Sequence, residues 1–220
     1  MNKLISTCTL MLFVFVTAQS FAQITIGAKA GFNFANMTSQ DDENNYAEEL
    51  PYKTKAGIQL GTTAAYPFSE KLAFEAGLLY SAKGFSEIHS GANVKYKINY
   101  LEVPINAVYS FEVKGIKILA FTGPYLGYAI SAKMKADKAV LGENGDQTSV
   151  KISIGSDKET DEVMPFDFGF NVGAGIEFSV LNVCFQYGLG IANTSPHSEN
   201  SYSSKNRVLG LTVGYKLGDL

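Results

Sequence analysis

One stretch of this chain, residues 164–180, alternates strictly between apolar side chains and polar or small ones. Successive side chains of a β-strand point to opposite faces of a sheet, so the alternation predicts a strand between two different environments. A helix is disfavoured, because each interior glycine would cost about 1 kcal/mol. The apolar face consists of Phe166, Phe168, Phe170, Val172, Ala174, Ile176, Phe178 and Val180.

The other face of this strand is rich in glycine and also carries Asn171 and Ser179, and Asp167 and Glu177 are its only charges. Small, hydrogen-bonding side chains suit a narrow polar interior, whereas a continuous band of Phe and Val suits lipid. The segment also exceeds the roughly 5–6 residues of a soluble strand and reaches the ~9–11 that a membrane strand needs. We therefore predict a transmembrane β-barrel with lipid-facing Phe166, Phe168, Phe170, Val172, Ile176 and Phe178.

The first residues have the composition of a secretory signal peptide. Lys3 provides the positive start, residues 10–16 form an apolar core, and Ser20-Phe-Ala22 supplies the small residues that precede a cleavage site. We predict a signal peptide over residues 1–22 and one barrel domain over residues 23–220. No later stretch has the ~18 consecutive apolar residues of a membrane helix, so a periplasmic, secreted or outer-membrane location is expected.

Charge and cysteine content argue against several other classes of protein. The formal net charge of −3 disfavours nucleic-acid binding, which needs a basic face. After the predicted cleavage only Cys184 remains, so no intramolecular disulfide can form. Charged residues make up 18% of the chain, below the ~25% of an ordinary soluble domain.

Seven further segments alternate in the same way, which gives eight predicted strands. In one of them the apolar positions change phase between Tyr100 and Leu101, which predicts a β-bulge. In the next, Pro124 cannot donate to a ladder and predicts a local irregularity. The eight segments are residues 24–36, 54–66, 71–83, 93–109, 115–129, 164–180, 182–192 and 206–218.

The predicted connections alternate in length. Residues 67–70, residues 110–114 and Leu181 are short links, whereas the links around residues 41–45, at 131–163 and at 193–205 are long and 86–92 is a medium loop. Short periplasmic turns, longer external loops and an even strand number are typical of outer-membrane barrels. The predicted fold is therefore all-β, an eight-stranded antiparallel up-and-down transmembrane barrel.

The longest link has a pattern of its own. Short apolar runs flank Asn144-Gly145, a dipeptide that favours a hairpin turn. We expect this hairpin to lie outside the membrane. A ten-stranded barrel that includes it is the alternative.

Several short motifs resemble the PorT-type outer-membrane β-barrel proteins of Bacteroidetes. They include Leu101-Glu-Val-Pro-Ile105, Gly123-Pro-Tyr-Leu-Gly127, Gly173-Ala-Gly-Ile-Glu177 and Leu211-Thr-Val-Gly-Tyr-Lys216, with the opening Gly27-Ala-Lys-Ala-Gly31. The resemblance spans the chain after the signal peptide and implies the barrel fold and the outer membrane. The best-known member of that family acts in protein secretion, and a secretion-related role is what the resemblance adds as an expectation.

Charged residues on the inward faces of the predicted strands are the candidate site. Eight strands enclose a space that side chains just fill, and an isolated charge there is costly, so the charges are expected in pairs. The predicted interior network is Lys29, Glu75, Glu102, Asp167, Glu177 and Lys216, with Lys55 as a further candidate and Arg207 near the external rim. A proton or ion path is one interpretation, and a polar core that holds the strands in register is the preferred one.

No catalytic residue, cofactor or metal site is predicted, and we do not expect an enzyme. The two histidines, His89 and His197, both lie in predicted loops. The expected surroundings are outer-membrane lipid, with residues 131–163 as the predicted place for a protein or glycan partner, no nucleic acid, and a monomeric state. The alternative is a soluble periplasmic barrel, similar to lipocalins, that binds an apolar ligand.

Overall fold

Nine strands make up the secondary structure of the described residues. The structure, a computed structural model, describes residues 24–40, 52–89, 91–141, 147–196 and 203–219, so the predicted signal peptide and His197 lie outside them. The strands are β1 (Thr25–Gln40), β2 (Lys53–Pro67), β3 (Leu72–His89), β4 (Ala92–Val113), β5 (Ile116–Ala136), β6 (Ser149–Lys151), β7 (Phe166–Phe178), β8 (Leu181–Gly190) and β9 (Ser203–Asp219).

Eight of these strands form a closed antiparallel ring, which confirms the predicted fold. Each pairs with its neighbour in the chain, β5 pairs with β7, and β9 returns to β1. The three-residue β6 pairs only with β5 among the described strands and does not enter the ring, so the ten-stranded alternative is wrong. The described residues contain no helix with the length and apolar character needed to cross a membrane.

The two ends of the ring differ in their connections. At one end, which we call the short-turn end, residues 68–71, 114–115 and 179–180 link β2 to β3, β4 to β5 and β7 to β8. The other connections lie at the opposite, long-loop end. The predicted medium loop at 86–92 is wrong: β3 continues to His89 and β4 begins at Ala92, so His89 belongs to a strand.

The outer face of the ring carries a belt of exposed apolar side chains. The residues predicted to face lipid all lie in this belt, with exposures from 41% at Phe168 to 67% at Phe178. Large apolar residues of the other seven ring strands, such as Phe32, Leu60 and Leu211, are exposed in the same way. A soluble carrier needs these side chains inside, so the lipocalin-like alternative is not favoured.

Beyond the belt, toward the long-loop end, the apolar face turns inward. In β4, Leu101 and Val103 are exposed, whereas Tyr100, Ile98 and Val94 are buried. Burial alternates through this point without a break, so the change of phase at Tyr100 is not a bulge in β4. It marks the level at which the apolar residues of β4 pass from the outer face to the face that lines the lumen.

The irregularity at this level lies in the neighbouring strand. Asn99 pairs with Ser131 and Tyr100 with Ala129, which leaves Ile130 of β5 as the extra residue. An extra residue reverses the side on which the following residues point. Ala132 and Met134 therefore face inward beyond the bulge, and the alternating lysines of β5 face outward.

A small apolar core fills the lumen beyond the belt. Residues from the segment between β5 and β7 enter it, because Ile152 and Val163 pack against Ile98, Tyr100 and Ala132. Both are buried, at 6% and 7% exposure. We call the belt and the lumen it surrounds the membrane part, and the strand ends beyond Tyr100 with this inserted segment the external part.

Pro124 interrupts one ladder without shifting it. The β4–β5 pairs pass from Pro104–Tyr125 to Ala107–Thr122 in constant register, so two pairs are missing between them. This local irregularity is the one that the missing N–H of Pro124 predicts. On its other side Pro124 still has a partner in the register, Phe170 of β7.

Two glycines of β7 make room for aromatic rings in the lumen. Tyr125 and Phe121 of β5 are the cross-strand partners of Gly169 and Gly173. A Cβ atom at Gly169 would lie 2.8 Å from the Tyr125 hydroxyl oxygen, and one at Gly173 would overlap the Phe121 ring. These glycines therefore leave room for the two rings in the lumen, and Tyr125 lies beside the charged cluster described next.

Candidate functional site

Three charged side chains from three strands meet in the lumen of the membrane part. The Lys83 Nζ atom lies 2.6 Å from Oε2 of Glu102 and 3.0 Å from Oδ2 of Asp167. Their side chains are 3%, 3% and 0% exposed. β3, β4 and β7 are therefore tied together across the barrel by one ammonium group.

Hydrogen bonds to Asp167 offset the excess of negative charge in this cluster. The Tyr125 hydroxyl donates to the Asp167 carboxylate at 3.3 Å, and Asn206 Nδ2 donates to its Oδ2 at 3.0 Å. Because two carboxylates share one lysine, these neutral donors supply stabilisation that a second cation would otherwise give. Asn206 also brings β9 into the cluster.

Two tyrosine rings enclose the lysine from the sides. The Lys83 Nζ atom lies 4.2 Å from the centre of the Tyr125 ring and 5.1 Å from that of Tyr100. Both distances are within the range of a cation–π contact, which is strongest where water is excluded. We call this set of buried side chains the lumen cluster. Ion pairs, hydrogen bonds and cation–π contacts hold together its members, Lys83, Glu102, Asp167, Tyr100, Tyr125 and Asn206.

Two further ion pairs lie nearer the short-turn end. Lys29 Nζ lies 2.8 Å from Oε1 of Glu75, and Lys216 Nζ lies 2.7 Å from Oε1 of Glu177. Lys117 approaches the same Glu177 oxygen at 3.8 Å. Lys216 and Lys117 are partly exposed, so these pairs are more hydrated than the lumen cluster.

The structure brings the predicted interior residues together in two groups. Glu102 and Asp167 belong to the lumen cluster. The two ion pairs nearer the short-turn end are formed by Lys29 with Glu75 and by Lys216 with Glu177. Lys55 joins neither group, and Arg207 donates hydrogen bonds to the carbonyl oxygens of Gly190 and Asn206. Burial, together with the like charges of Lys97 and Lys95, lowers the pKa of Lys55.

Lys83, the centre of the lumen cluster, is not among the interior residues predicted from the sequence. Its position at the end of the predicted third strand concealed its role. Lys83 has the same odd-numbered parity as Glu75, and this parity is the signal that could have identified it. Its acidic partners lie on other strands, and only the register of the sheet reveals them.

A cavity of about 270 Å³ opens at the short-turn end. Its walls include Lys29, Glu75, Glu177 and Lys216, and Phe121 and Cys184 also line it. Cys184, a buried free cysteine, is one of the residues that line this cavity. The cavity lies on the side of the lumen cluster away from the long loops.

Aromatic and aliphatic side chains pack together at the long-loop end. The Phe85 and Tyr96 rings stack with centres 4.4 Å apart, and Tyr52 packs against Phe85 at the same distance. The Tyr96 hydroxyl donates a 2.8 Å hydrogen bond to Glu87. Burial and this carboxylate raise the pKa of Tyr96. The lumen is thus filled in two layers, an apolar one outside and a charged one beneath it.

Residues 17–195 match the model of a protein family described as an outer membrane protein beta-barrel domain. Among solved structures, the chain is similar to the attachment invasion locus protein Ail of Yersinia pestis, at 13% identity and a TM-score of 0.43. It is also similar to Neisserial surface protein A, at 13% identity and 0.46, and to outer membrane protein W of E. coli, at 12% and 0.43. Each alignment covers 90% of this chain and 100% of the other. A search of curated proteins gave no match.

Proposed function

This chain belongs to the outer membrane protein β-barrel domain family and resides in the outer membrane, and from that premise we propose that it is a non-conducting envelope protein that binds a partner through its external part. The role is structural or accessory rather than enzymatic. We keep the subtype suggested by the sequence motifs, a PorT-type protein with a secretion-related partner, as part of this proposal.

The packing of apolar side chains inside the external mouth is the observation that carries the proposal. Ile152 and Val163 are inserted between the strand ends and pack against Ile98. The charged lumen cluster lies beneath them, and eight strands leave little room beyond their own side chains. A continuous water path through such a lumen would require both layers to move apart.

The external part offers a partner a preformed surface. β5 extends to Ala136, so the predicted loop 131–163 begins as strand and its later residues are held by β6 and by the buried Ile152. Exposed residues of this segment, including Lys158 and Glu159, are consequently presented from a packed support. Pre-organisation of this kind reduces the ordering cost of binding. A protein or a glycan is the expected partner class.

Conductance in planar bilayers tests the non-conducting role. The purified protein should give no steady open steps at physiological salt. The variant Ile152→Asp with Val163→Asp, which places two carboxylates in the apolar layer, should still be closed by the lumen cluster. Stable ohmic steps from the unaltered protein would contradict the proposal.

Site-specific photo-crosslinking in native membranes tests the binding role. A photoreactive residue at Lys158, exposed in the external part, should yield a discrete adduct of higher mass. The matched control is the same residue at Lys71, which is exposed at the short-turn end. Equal adducts at both positions, or none at Lys158, would rule out an external partner, and an adduct of twice the mass would show self-association instead of the expected monomer.

A further inference from the structure

Five lysines form two rows on the outer face of the external part. In the register of the sheet Lys97 is opposite Lys133, and Lys133 is opposite Lys151. The second row pairs Lys95 with Lys135. All five are exposed and lie on the outward side of β4, β5 and β6, and we call them the lysine patch.

This arrangement is unfavourable unless an anion is present. Directly opposite residues of an antiparallel pair have Cβ atoms about 5 Å apart, and like charges at such positions destabilise the sheet. None of the five lysines forms an ion pair with any residue that the structure describes. Two acids near these strand ends accept hydrogen bonds from other groups: Glu87 accepts from the Tyr96 hydroxyl, and Asp137 accepts from the Asn93 N–H.

The positive charge of the lysine patch also acts on β2, which lies next to β3 in the ring. Lys55 of β2 lies beyond Ile58, the last large apolar residue on the outer face of that strand. Besides burial, the charges of Lys97 and Lys95 lower the pKa of Lys55. Lys53, exposed on the same strand, is opposite Ser86, which in turn is opposite Lys95. The patch therefore extends across neighbouring strands without an intervening acid among the described residues of its rows.

The height of the patch matches that of lipid headgroups. On the outer face, Leu101 of β4 and Ile130 of β5 are the last large apolar residues before the lysines, at 43% and 50% exposure. Lys97 precedes Leu101 by four residues, which is about 13 Å along a strand and about 10 Å above the belt at the usual tilt. The hydrogen bond from Asn99 to Ser131, 2.7 Å long, lies between. Lysine side chains can reach down from this height to the interface.

We propose that the lysine patch is a binding site for the phosphate groups of the anionic glycolipid of the outer leaflet. Its lateral position and its height point to the membrane in which the protein resides, rather than to a soluble ligand above it. Bound phosphates lie between the rows and remove the repulsion between opposite lysines. The site is independent of the lumen cluster and of any partner at the loops.

Thermal unfolding with and without lipid tests the site, because the expected effect of Lys133→Gln on the Tm has opposite signs in the two conditions. In neutral maltoside micelles Lys133→Gln removes a charge from the centre of the Lys97–Lys133–Lys151 row, so its Tm should exceed that of the unaltered protein. With bisphosphorylated lipid A added, the unaltered protein should gain more and the order should reverse. A lower Tm for Lys133→Gln in neutral micelles would show that acidic residues of the chain's own loops neutralise the patch, and would overturn the proposal.

Native mass spectrometry measures the binding directly. The triple variant Lys97→Gln, Lys133→Gln, Lys151→Gln should bind bisphosphorylated lipid A at least tenfold more weakly than the unaltered protein. The matched control, Lys71→Gln, Lys114→Gln, Lys158→Gln, removes three exposed lysines outside the patch and should bind unchanged. Lys133→Arg, which keeps the charge, should also bind normally.

Two comparisons separate the sources of the anion. Dephosphorylated lipid A should bind as weakly to the unaltered protein as lipid A binds to the triple variant. Inorganic phosphate at the same phosphate concentration should not displace lipid A, because a free ion lacks the acyl chains that hold the headgroup at the belt. Equal binding of the two lipids, displacement by free phosphate, or equal binding by patch and control variants would each overturn the proposal.

Discussion

In β4 the side chains of Leu101, Val103 and Ile105 point away from the lumen, whereas those of Tyr100, Ile98 and Val94 point into it. The same strand thus belongs to two regions with opposite packing. In the membrane part lipid solvates the apolar side chains, and the lumen holds charges and amides. In the external part water solvates the outer face, and the lumen holds the apolar core. The difference shows that the solvent around each level decides which face is apolar.

Removal of the central ammonium group should produce the largest effect on the membrane part. Lys83→Met leaves Glu102 and Asp167 buried without their cation, and a broken buried pair costs about 3–5 kcal/mol. Unfolding in urea, followed by circular dichroism because the chain has no tryptophan, measures the loss. A change below about 1 kcal/mol would mean that the lumen cluster does not hold the strands together.

A charge in the belt should be the next most costly change. Val172→Lys, at a lipid-facing site that is 56% exposed, should cost about 2–4 kcal/mol near the bilayer midplane. The control is Ile88→Lys, at a residue that is 68% exposed near the tip of β3, where water accepts the charge at almost no cost. The free energy of unfolding in lipid vesicles measures both losses. Similar losses at the two sites would contradict the assignment of lipid to the membrane part and water to the external part.

Deletion of a single methylene should cost more stability in the external part than in the membrane part. Ile98→Val creates a small cavity in the external core and should cost about 0.5–1.5 kcal/mol. Ile176→Val, in the belt, should cost much less, because lipid fills the space that the lost group leaves. Urea titration in lipid vesicles compares the pair, and an equal cost would place Ile176 against protein rather than lipid.

The smallest effect is expected at the hydrated pair of the short-turn end. Lys216→Gln removes a partly exposed partner of Glu177, and Lys117 remains within 3.8 Å of the same oxygen. A loss of at most about 1 kcal/mol is expected, and it should shrink as salt is raised. A salt-independent loss comparable with that of Lys83→Met would show that this end of the lumen is as dry as its centre.

Strand number and the direction of the belt could be predicted because they depend on local alternation. Residues 164–180 show both faces of one strand, and seven similar segments give the ring. The same pattern failed at residues 86–92, where the strands run on into water. There the glycine at 84, with a φ of 137°, and the exchange of apolar and polar faces disrupt the alternation of β3.

The lumen cluster could be predicted only in part. Glu102 and Asp167 stand out as carboxylates on faces that are otherwise small or apolar, but their partner Lys83 lies 84 positions from Asp167 in the chain. Which strands meet across the lumen depends on register and shear, and these follow from turns and from the extra residue at Ile130. The lysine patch was missed for a related reason, since opposite residues are known only once strands are paired.

Every residue of β1, 16 in all, is matched with a partner in β9, the last of the described strands. Because this seam joins β1 to β9, the cylinder cannot close before β9 has been synthesised. Until then both boundary strands expose unpaired amide and carbonyl groups, which attract other chains. The protein must therefore be kept apart from its own copies during export and assemble as a unit, and a form truncated before Ser203 should aggregate rather than insert.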